Sequence, residues 1–404
     1  MMNDLFAQRV NPDVSSALAG LFPQDPNPTA VTFAAGSPNE QLFPVKEVQA
    51  AFNTAIDTQG AHLFQYQSAQ GNSALREKLV TRIAKWGNVT TTADNILLTV
   101  GGQQGVELVA KTLLNPGDDI IVEVPTYIGA LAAFDLYQPH YHAVPLQADG
   151  LDLDLLETTL QQHPNVKLLY TVPDYHNPTG ITMSVAKRQQ LVALANRYHF
   201  IILEDTPYRD LGYEGAPLPA IKSFDTEGRV IFLSSFSKIL MPALRTGWLI
   251  ADGELRDAIL KMRLASDLET TGVIHAAINA YLDANDLDAH IQRMTTHYKQ
   301  QRDAMLQSLT HYFPDEALFT HPAGGFFDWV TLPQDIDTGR LMLDVISPQA
   351  HVTYVPATNF YPQRDVHNAL RLSFSGVNPT QIDAGMHRLG DQLKNAVHAA
   401  YPVF

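Results

Sequence analysis

Cysteine is absent from all 404 residues of the sequence. Its absence excludes disulfide bonds, thiol catalysis and thiolate metal sites. The chain also has no basic leader followed by an apolar segment, and no apolar run reaches the ~18 residues that a membrane-spanning helix needs. These features predict a cytoplasmic location and no membrane partner.

Positive charge is scarce as well, since 27 lysines and arginines are outnumbered by 42 aspartates and glutamates and the formal net charge is −15 at pH 7. This balance disfavours nucleic acid and anionic membranes as partners, although a local basic pocket for a phosphate or a carboxylate is compatible with it. The 15 histidines show no His-Glu-x-x-His pattern. We interpret His62, His140 and His142 as ordinary surface or packing residues and predict no metal site.

The chain is long and apolar enough to form a large core, because hydrophobic residues make up 45% of it. Its length suits one large and one smaller domain. Apolar strands alternate with helices at intervals of about 25 to 35 residues, which is typical of an α/β domain with a largely parallel sheet. We place this large domain at 46–285 and a small domain at 286–404. An N-terminal arm at 1–45, with a short amphipathic stretch at 14–21, is expected to join the small domain.

A lysine stands out where the apolar run 230–233 ends in serines. Lys238 follows that run, and Arg245 comes seven positions later. Lysine is the side chain that forms an imine with an aldehyde cofactor, provided that apolar surroundings or a nearby positive charge lower its pKa. Ser235, Ser237 and Arg245 suit a phosphate, two as hydroxyl donors and one as a bidentate fork. The alternative is a surface lysine on a strand-to-loop turn.

A glycine-rich turn at 101–105 lies between a short apolar strand and a helix. Free backbone N–H groups and the helix dipole at such a turn form an anion site. The spacing is neither Gly-x-Gly-x-x-Gly nor a Walker loop, which disfavours dinucleotide and nucleoside triphosphate binding.

Two charged side chains occur in strands that are otherwise apolar. Asp205 ends the strand at 199–205, where a carboxylate is expected to face a ligand crevice in an open α/β sheet. The alternative is that it caps the next turn. Arg371 interrupts the apolar strand at 368–375 and needs an anionic partner there. That partner is either a ligand or an acidic residue in a structural salt bridge.

The string Ser-x-Ser-Lys-x-x-x-Pro-x-x-Arg-x-Gly at 235–247 resembles the lysine signature of aminotransferases of fold type I, which use pyridoxal 5′-phosphate (PLP). Asn-Pro-Thr-Gly at 177–180 is similar to a second hallmark of that family. The motifs appear in family order from Gly36 to Arg371, and the subgroup with 2-aminoadipate, kynurenine and aromatic aminotransferases is the most similar. Many relatives carry Gln at the position of His176, and we expect little consequence.

The resemblance implies an aspartate-aminotransferase-like fold, in which a mostly parallel seven-stranded sheet flanked by helices is joined to a smaller α+β domain. It also implies how PLP is held. Lys238 would bind it as a covalent imine and transfer the substrate proton, and Asp205 would keep the pyridine nitrogen protonated. Tyr208 and Asn177 would hydrogen-bond O3′, and Tyr127 would stack on the ring.

By the same resemblance, the cofactor phosphate would be bound by one group of residues, which comprises Gly102, Gln103, Ser235, Ser237 and Arg245. Tyr66 would reach across a homodimer interface to the partner's cofactor phosphate. Gly36, Asn177 and Arg371 would bind the substrate, with Arg371 and Asn177 on its α-carboxylate.

The expected activity is transfer of an amino group from an L-amino acid to a 2-oxo acid such as 2-oxoglutarate, by a ping-pong mechanism. We identify no second arginine for an acidic side chain, so aromatic, 2-aminoadipate-like and long aliphatic donors all remain open. One alternative is a PLP-dependent C–S lyase on the same fold. Another is a non-catalytic PLP or amino-acid sensor, although no basic DNA-binding module is apparent at the N-terminus.

Overall fold

The computed structural model describes residues 5–10 and 27–399. The amphipathic stretch predicted at 14–21 lies outside the described residues. Across the described ranges, no helix combines the length and the apolar character needed to cross a membrane.

The helices follow from periodic apolar residues and polar caps. In the helix that begins at Ser73, Leu75, Leu79 and Ile83 recur on one buried face, and Asn72 accepts a hydrogen bond from the Leu75 amide at its start. The described helices are α1 (Val45–Gln59), α2 (Ser73–Gly87), α3 (Gly101–Leu113), α4 (Ile128–Asp135), α5 (Leu153–Gln162), α6 (Val185–Tyr198), α7 (Gly253–Asp267), α8 (Gly272–Ala284), α9 (Leu287–Tyr312), α10 (Thr338–Leu341) and α11 (Pro379–Ala399). A π-helical segment, Met342–Ala350, continues α10.

The strands are short and mostly apolar. They are β1 (Val31–Thr32), β2 (Ile96–Thr99), β3 (Asp119–Val124), β4 (His140–Gln147), β5 (Gly150–Leu151), β6 (Leu168–Thr171), β7 (Ile201–Asp205), β8 (Val230–Ser235), β9 (Gly247–Ile250), β10 (Leu318–Phe319), β11 (Phe327–Thr331), β12 (Val352–Thr353), β13 (Val355–Pro356) and β14 (Ala369–Ser373).

The main sheet has the strand order β2-β9-β8-β7-β6-β3-β4-β5. Strands β4, β3, β6, β7 and β8 pair in parallel, whereas β9 runs antiparallel to both of its neighbours. The predicted mostly parallel seven-stranded sheet is confirmed, and the two-residue β5 adds an eighth strand at one edge. Because β6, β7 and β8 are parallel, Thr171, Asp205 and Ser235 end at the same edge of the sheet.

Both faces of the main sheet are covered. Neighbouring residues of one strand point to opposite faces, so Leu98 packs in a core with α2, α8 and α9, and Leu97 packs in another with α3, α4 and α7. Burial on both faces explains why the central strands are apolar along their whole length.

A second, antiparallel sheet has the order β10-β11-β14-β13. It places Arg371 in the middle of β14, between Trp329 of β11 and Val355 of β13. Val31 of the N-terminal region pairs with Val352. The division into an arm at 1–45, a large domain at 46–285 and a small domain at 286–404 stays a prediction.

Candidate active site

A cavity of about 240 Å³ opens at the carboxyl ends of β6, β7 and β8. It collects most of the residues that the sequence nominated, namely Gly36, Gly102, Gln103, Tyr127, Asn177, Asp205, Tyr208, Ser235, Ser237, Lys238, Arg245 and Arg371. Tyr66 does not line this cavity, and 78% of it is exposed. Its predicted contact is with a partner subunit, so that role stays a prediction.

Lys238 points into the cavity from the turn that follows β8. Its Nζ donates a hydrogen bond to the carbonyl oxygen of Gly36 at 2.7 Å. Burial, followed by the positive charges of Arg371 and Arg245, lowers the pKa of Lys238 to about 8. At pH 7 about a tenth of such amines are uncharged, which is the form that attacks an aldehyde.

Asp205 is buried at the end of β7 and accepts a hydrogen bond from the Tyr170 hydroxyl at 2.8 Å. Burial raises the pKa of Asp205 to about 7, and the Tyr170 hydrogen bond acts in the opposite direction. Within the described part of the chain, no cation contributes to this pKa. A buried carboxylate without a cation, beside an open cavity, fits a ligand that brings its own positive charge, such as a protonated pyridine nitrogen.

Arg371 is buried as well, and its partners are neutral. Nη1 donates to Asn177 Oδ1 at 2.8 Å, and Nη2 donates to the Ala34 carbonyl oxygen at 2.5 Å. Nε has no hydrogen-bond partner among the described residues. Phe327 and Phe360 lie against the guanidinium, 4.3 and 5.2 Å from its carbon. Burial lowers the pKa of Arg371 to about 10.

The structural salt bridge that we considered for Arg371 is therefore not found in the described ranges. A guanidinium that is buried without an acid, in a residue that lines the cavity, is suited to a carboxylate supplied by a ligand.

The turn at 177–180 is held from beneath by two buried side chains. His176 Nδ1 lies 2.9 Å from Thr179 Oγ1, and His176 Nε2 lies 3.3 Å from a carboxylate oxygen of Glu123. Glu123 also accepts hydrogen bonds from the hydroxyl of Thr171 and the amide of Val172. This support fixes the backbone of the turn that presents Asn177 to Arg371. Glu123 was not predicted as part of the site, and His176 was expected to matter little.

The other end of the cavity is built from a helix start and hydroxyl groups. Gly101 begins α3 with a φ of 72°, and a Cβ added there would lie 2.7 Å from Arg245 Nη2. A Cβ at this position would displace the Arg245 guanidinium, and the positive φ itself favours glycine beside the helix N-terminus. Ser235 Oγ donates to Ser237 Oγ at 2.8 Å. Amides, hydroxyls and a guanidinium at a helix N-terminus form a site for a phosphate.

Tyr127 precedes α4, and its ring lies over the first turn of that helix. A Cβ added at Gly129 would lie 2.4 Å from that ring, so the glycine is required for this position. Gln103 Nε2 donates to the Gly129 carbonyl oxygen at 2.6 Å and links the two helix starts. Phe327 fills the space above Gly36, where a Cβ would approach its ring to 2.4 Å.

Tyr170, Gly129 and Phe327 were not among the predicted site residues. For Tyr170 the signal is the pairing of consecutive strands, because β6 and β7 lie side by side and bring its hydroxyl to the end of β7. Phe327 is the last residue of a Gly-Gly-x-Phe sequence at 324–327 and the first residue of β11.

The site as a whole fits PLP by the chemistry of its donors. It combines an amine with a lowered pKa, a buried acid that lacks a cation, and an anion site at the start of α3. Residues of all three groups line the same cavity. A second anion, such as a substrate carboxylate, is accommodated by Arg371.

Comparisons with known proteins agree with this chemistry. The model of the family "Aminotransferase class I and II" matches residues 29–389. Aromatic-amino-acid aminotransferase 1 of Thermococcus litoralis is 38% identical, over 90% of this chain and 88% of its own length. The 2-aminoadipate transaminase of Thermus thermophilus is 30% identical, over 94% of each chain.

A solved structure is similar over nearly the whole chain. The kynurenine aminotransferase of Pyrococcus horikoshii, in complex with PMP, is 35% identical, covers 98% of each chain and superposes with a TM-score of 0.91. A protein of another kind is also similar, since the uncharacterized HTH-type transcriptional regulator YdcR of Escherichia coli is 32% identical over 86% of this chain and 74% of its own length.

Proposed function

The chain belongs to the class I and II aminotransferase family, and from this premise we propose that it transfers the amino group of an aromatic, 2-aminoadipate-like or long aliphatic L-amino acid to a 2-oxo acid such as 2-oxoglutarate. The observation that carries the proposal is that Lys238, Asp205 and Arg371 line one cavity, each with a shifted pKa and none paired with an opposite charge among the described residues.

Different residues would hold different parts of the cofactor. Lys238 would bind it covalently, Asp205 would pair with the ring nitrogen, and Tyr127 would lie against the ring. Tyr208 and Asn177 hold O3′. The phosphate is bound at the start of α3, by Gly102, Gln103, Ser235, Ser237 and Arg245. When bound, PLP supplies an aldehyde for the amino group and a ring that takes up electrons released at the substrate Cα.

Arg371 binds and orients the substrate. Its guanidinium engages the α-carboxylate together with the side-chain amide of Asn177, and the backbone of Gly36 would lie against the substrate. Once the substrate amino group has replaced it on the cofactor, Lys238 would accept the proton from the substrate Cα as a free amine. It would then deliver that proton as an ammonium group to C4′, the former aldehyde carbon of PLP, acting as a general base and then a general acid. The lowered pKa of Lys238 suits both roles near neutral pH. The oxo acid formed leaves before the second oxo acid binds to Arg371, which makes the mechanism ping-pong.

The described cavity lining favours apolar donors over acidic ones. Its cationic side chains are Lys238, Arg245 and Arg371, and each is already assigned to the cofactor or to the α-carboxylate. Tyr127 and Phe327 offer aromatic faces for a substrate side chain. Aromatic and long aliphatic amino acids are therefore the donors that this lining supports best.

The proposal includes a homodimer in the cytoplasm. Tyr66 and Phe64 are 78% and 65% exposed, and neither contacts the cavity of its own chain. A partner subunit that covers them would place Tyr66 at the partner's cofactor phosphate. Light scattering tests the dimer, and Tyr66→Phe should weaken PLP binding without changing the dimer mass.

A panel of amino donors with 2-oxoglutarate tests the proposed reaction. Formation of the matching oxo acid and of glutamate is the expected result. Release of ammonia and a thiol from cysteine conjugates would indicate a C–S lyase instead. PLP binding with no turnover of any amino acid would indicate a sensor. The similarity to a transcriptional regulator is the reason to test this alternative.

A further inference from the structure

A cluster of metal-binding side chains lies outside the catalytic cavity. Asp119 begins β3, His142 lies on the neighbouring β4, and His163 follows the last residue of α5. Their nearest ligand atoms all lie within 4.8 Å of one another. Because β3 begins with Asp119, the cluster is at the amino ends of the parallel strands, whereas the catalytic cavity is at their carboxyl ends. The proposed reaction uses none of these residues.

The contacts within the cluster are already close. His142 Nε2 lies 2.9 Å from Asp119 Oδ1, and the rings of His142 and His163 are 3.8 Å apart between centroids at an angle of 32°. All three side chains are half-buried, so they are ordered by packing and still reachable from solvent.

Asp119 is available to the histidine side chains because the nearby lysine is paired with another carboxylate. Its neighbour Asp118 is paired with Lys167 at 2.6 Å. Among the described residues, the ion pairs of Asp119 are with His142 and with His140, whose Nδ1 is 3.8 Å away. His140 is opposite Asp119 in the β3–β4 register and two residues from His142, so it lies on the same face of the sheet. Its side chain is 72% exposed and free to turn towards the cluster.

We propose that Asp119, His142 and His163 bind a divalent transition-metal ion of the zinc class, with His140 as the fourth ligand. Two or three imidazole nitrogens and one carboxylate oxygen are a donor set that Zn²⁺ prefers, in tetrahedral geometry with bonds of about 2.0–2.2 Å. Such bonds place ligand atoms about 3.3–3.5 Å apart, so the half-buried side chains need only small rotations to close on the ion.

This proposal departs from the sequence-based prediction of no metal site, in which His140 and His142 were interpreted as surface or packing residues. That prediction did not consider His163, because it is far from His142 along the chain and no short motif joins them. In the fold, α5 ends beside β4 and so brings His163 next to His142. An ion held by β3, β4 and the end of α5 would bind the folded chain and not the unfolded chain, so it would raise the unfolding temperature.

Isothermal titration of the PLP-loaded, tag-free full chain with zinc sulfate tests the proposal. We expect one tight site per chain and an unfolding midpoint that rises with zinc. His142→Gln and His163→Gln should each weaken binding about tenfold or more and abolish the zinc-dependent shift. The matched control is His387→Gln, because His387 lies 3.6 Å from Asp391 on α11 as a His–Asp pair within a single helix. That variant should bind zinc as the wild type does.

Two further measurements check that each variant is folded and where the zinc ion binds. The unfolding midpoint without zinc shows whether each variant is folded, and an anomalous difference map at the zinc edge locates the ion in wild-type crystals. A peak between Asp119, His142 and His163 supports the site. Equal zinc affinity in the wild type and in folded His142→Gln, or a peak elsewhere with none at this cluster, would overturn it.

Discussion

Replacing Arg371 by lysine isolates the part of substrate recognition that depends on a forked guanidinium. The variant keeps one positive charge but loses one of two parallel hydrogen bonds to a carboxylate. A hydrogen bond to a charged group contributes about 1.5–3 kcal/mol, and each 1.4 kcal/mol is tenfold, so kcat/KM should fall about 10- to 100-fold. Arg371→Gln also removes the charge from a buried site and should cost about 3–5 kcal/mol, or roughly 10²- to 4 × 10³-fold.

The assay compares an amino acid with the amine that lacks its α-carboxylate, such as phenylalanine and phenethylamine. Because Arg371 is proposed to contact the carboxylate alone, both variants should lose efficiency with the amino acid and little with the amine. Arg197→Lys is the matched control, since Arg197 is exposed and pairs with Glu157 on the surface. Equal losses for both donors, or no loss for the amino acid, would refute the assignment of Arg371 to the α-carboxylate.

Four further predictions concern the cofactor and its support. The rate at which the apo-protein attaches PLP, followed by stopped-flow absorbance, should rise about tenfold per pH unit and level off above the Lys238 pKa of about 8, because only the uncharged amine attacks. Asp205→Asn should lower kcat about 10²- to 10³-fold in steady-state assays, because it removes the negative charge beside the ring nitrogen. Gly101→Ala should weaken PLP binding about tenfold in equilibrium dialysis, because φ is 72° there and the added Cβ displaces the adjacent guanidinium. His176→Ala should lower the free energy of unfolding by about 1–3 kcal/mol in urea titrations and raise KM, because it removes the support beneath Asn177.

Much of the main sheet was predictable because its strands are buried on both faces and read as continuous apolar runs. Strands β2, β6 and β8 are buried at every position. The long helix α9 is readable from the sequence for a similar reason, since its buried residues recur with helical periodicity along its whole length. The two-residue strands β10, β12 and β13 carry no such pattern, and the antiparallel direction of β9 depends on pairing that a sequence does not display.

Some residues of the candidate site could be identified from the sequence and others could not. Lys238 and Asp205 were identifiable because each directly follows or ends an apolar strand and belongs to a local motif. Tyr170 and Glu123 were not, because their roles depend on which strands are neighbours. His176 was visible in the sequence, but its burial against Glu123 appears only once β3 lies beside β6.

The central claim is that Lys238 is the residue that binds PLP covalently, and reduction with borohydride tests it most directly. The protein is incubated with PLP, reduced and digested, and the labelled peptide is sequenced by mass spectrometry. We expect the pyridoxyl label on Lys238 in the wild type and its loss, together with loss of the bound-cofactor absorbance, in Lys238→Ala. A label on any other lysine, or an unlabelled and colourless wild-type protein, would contradict the claim.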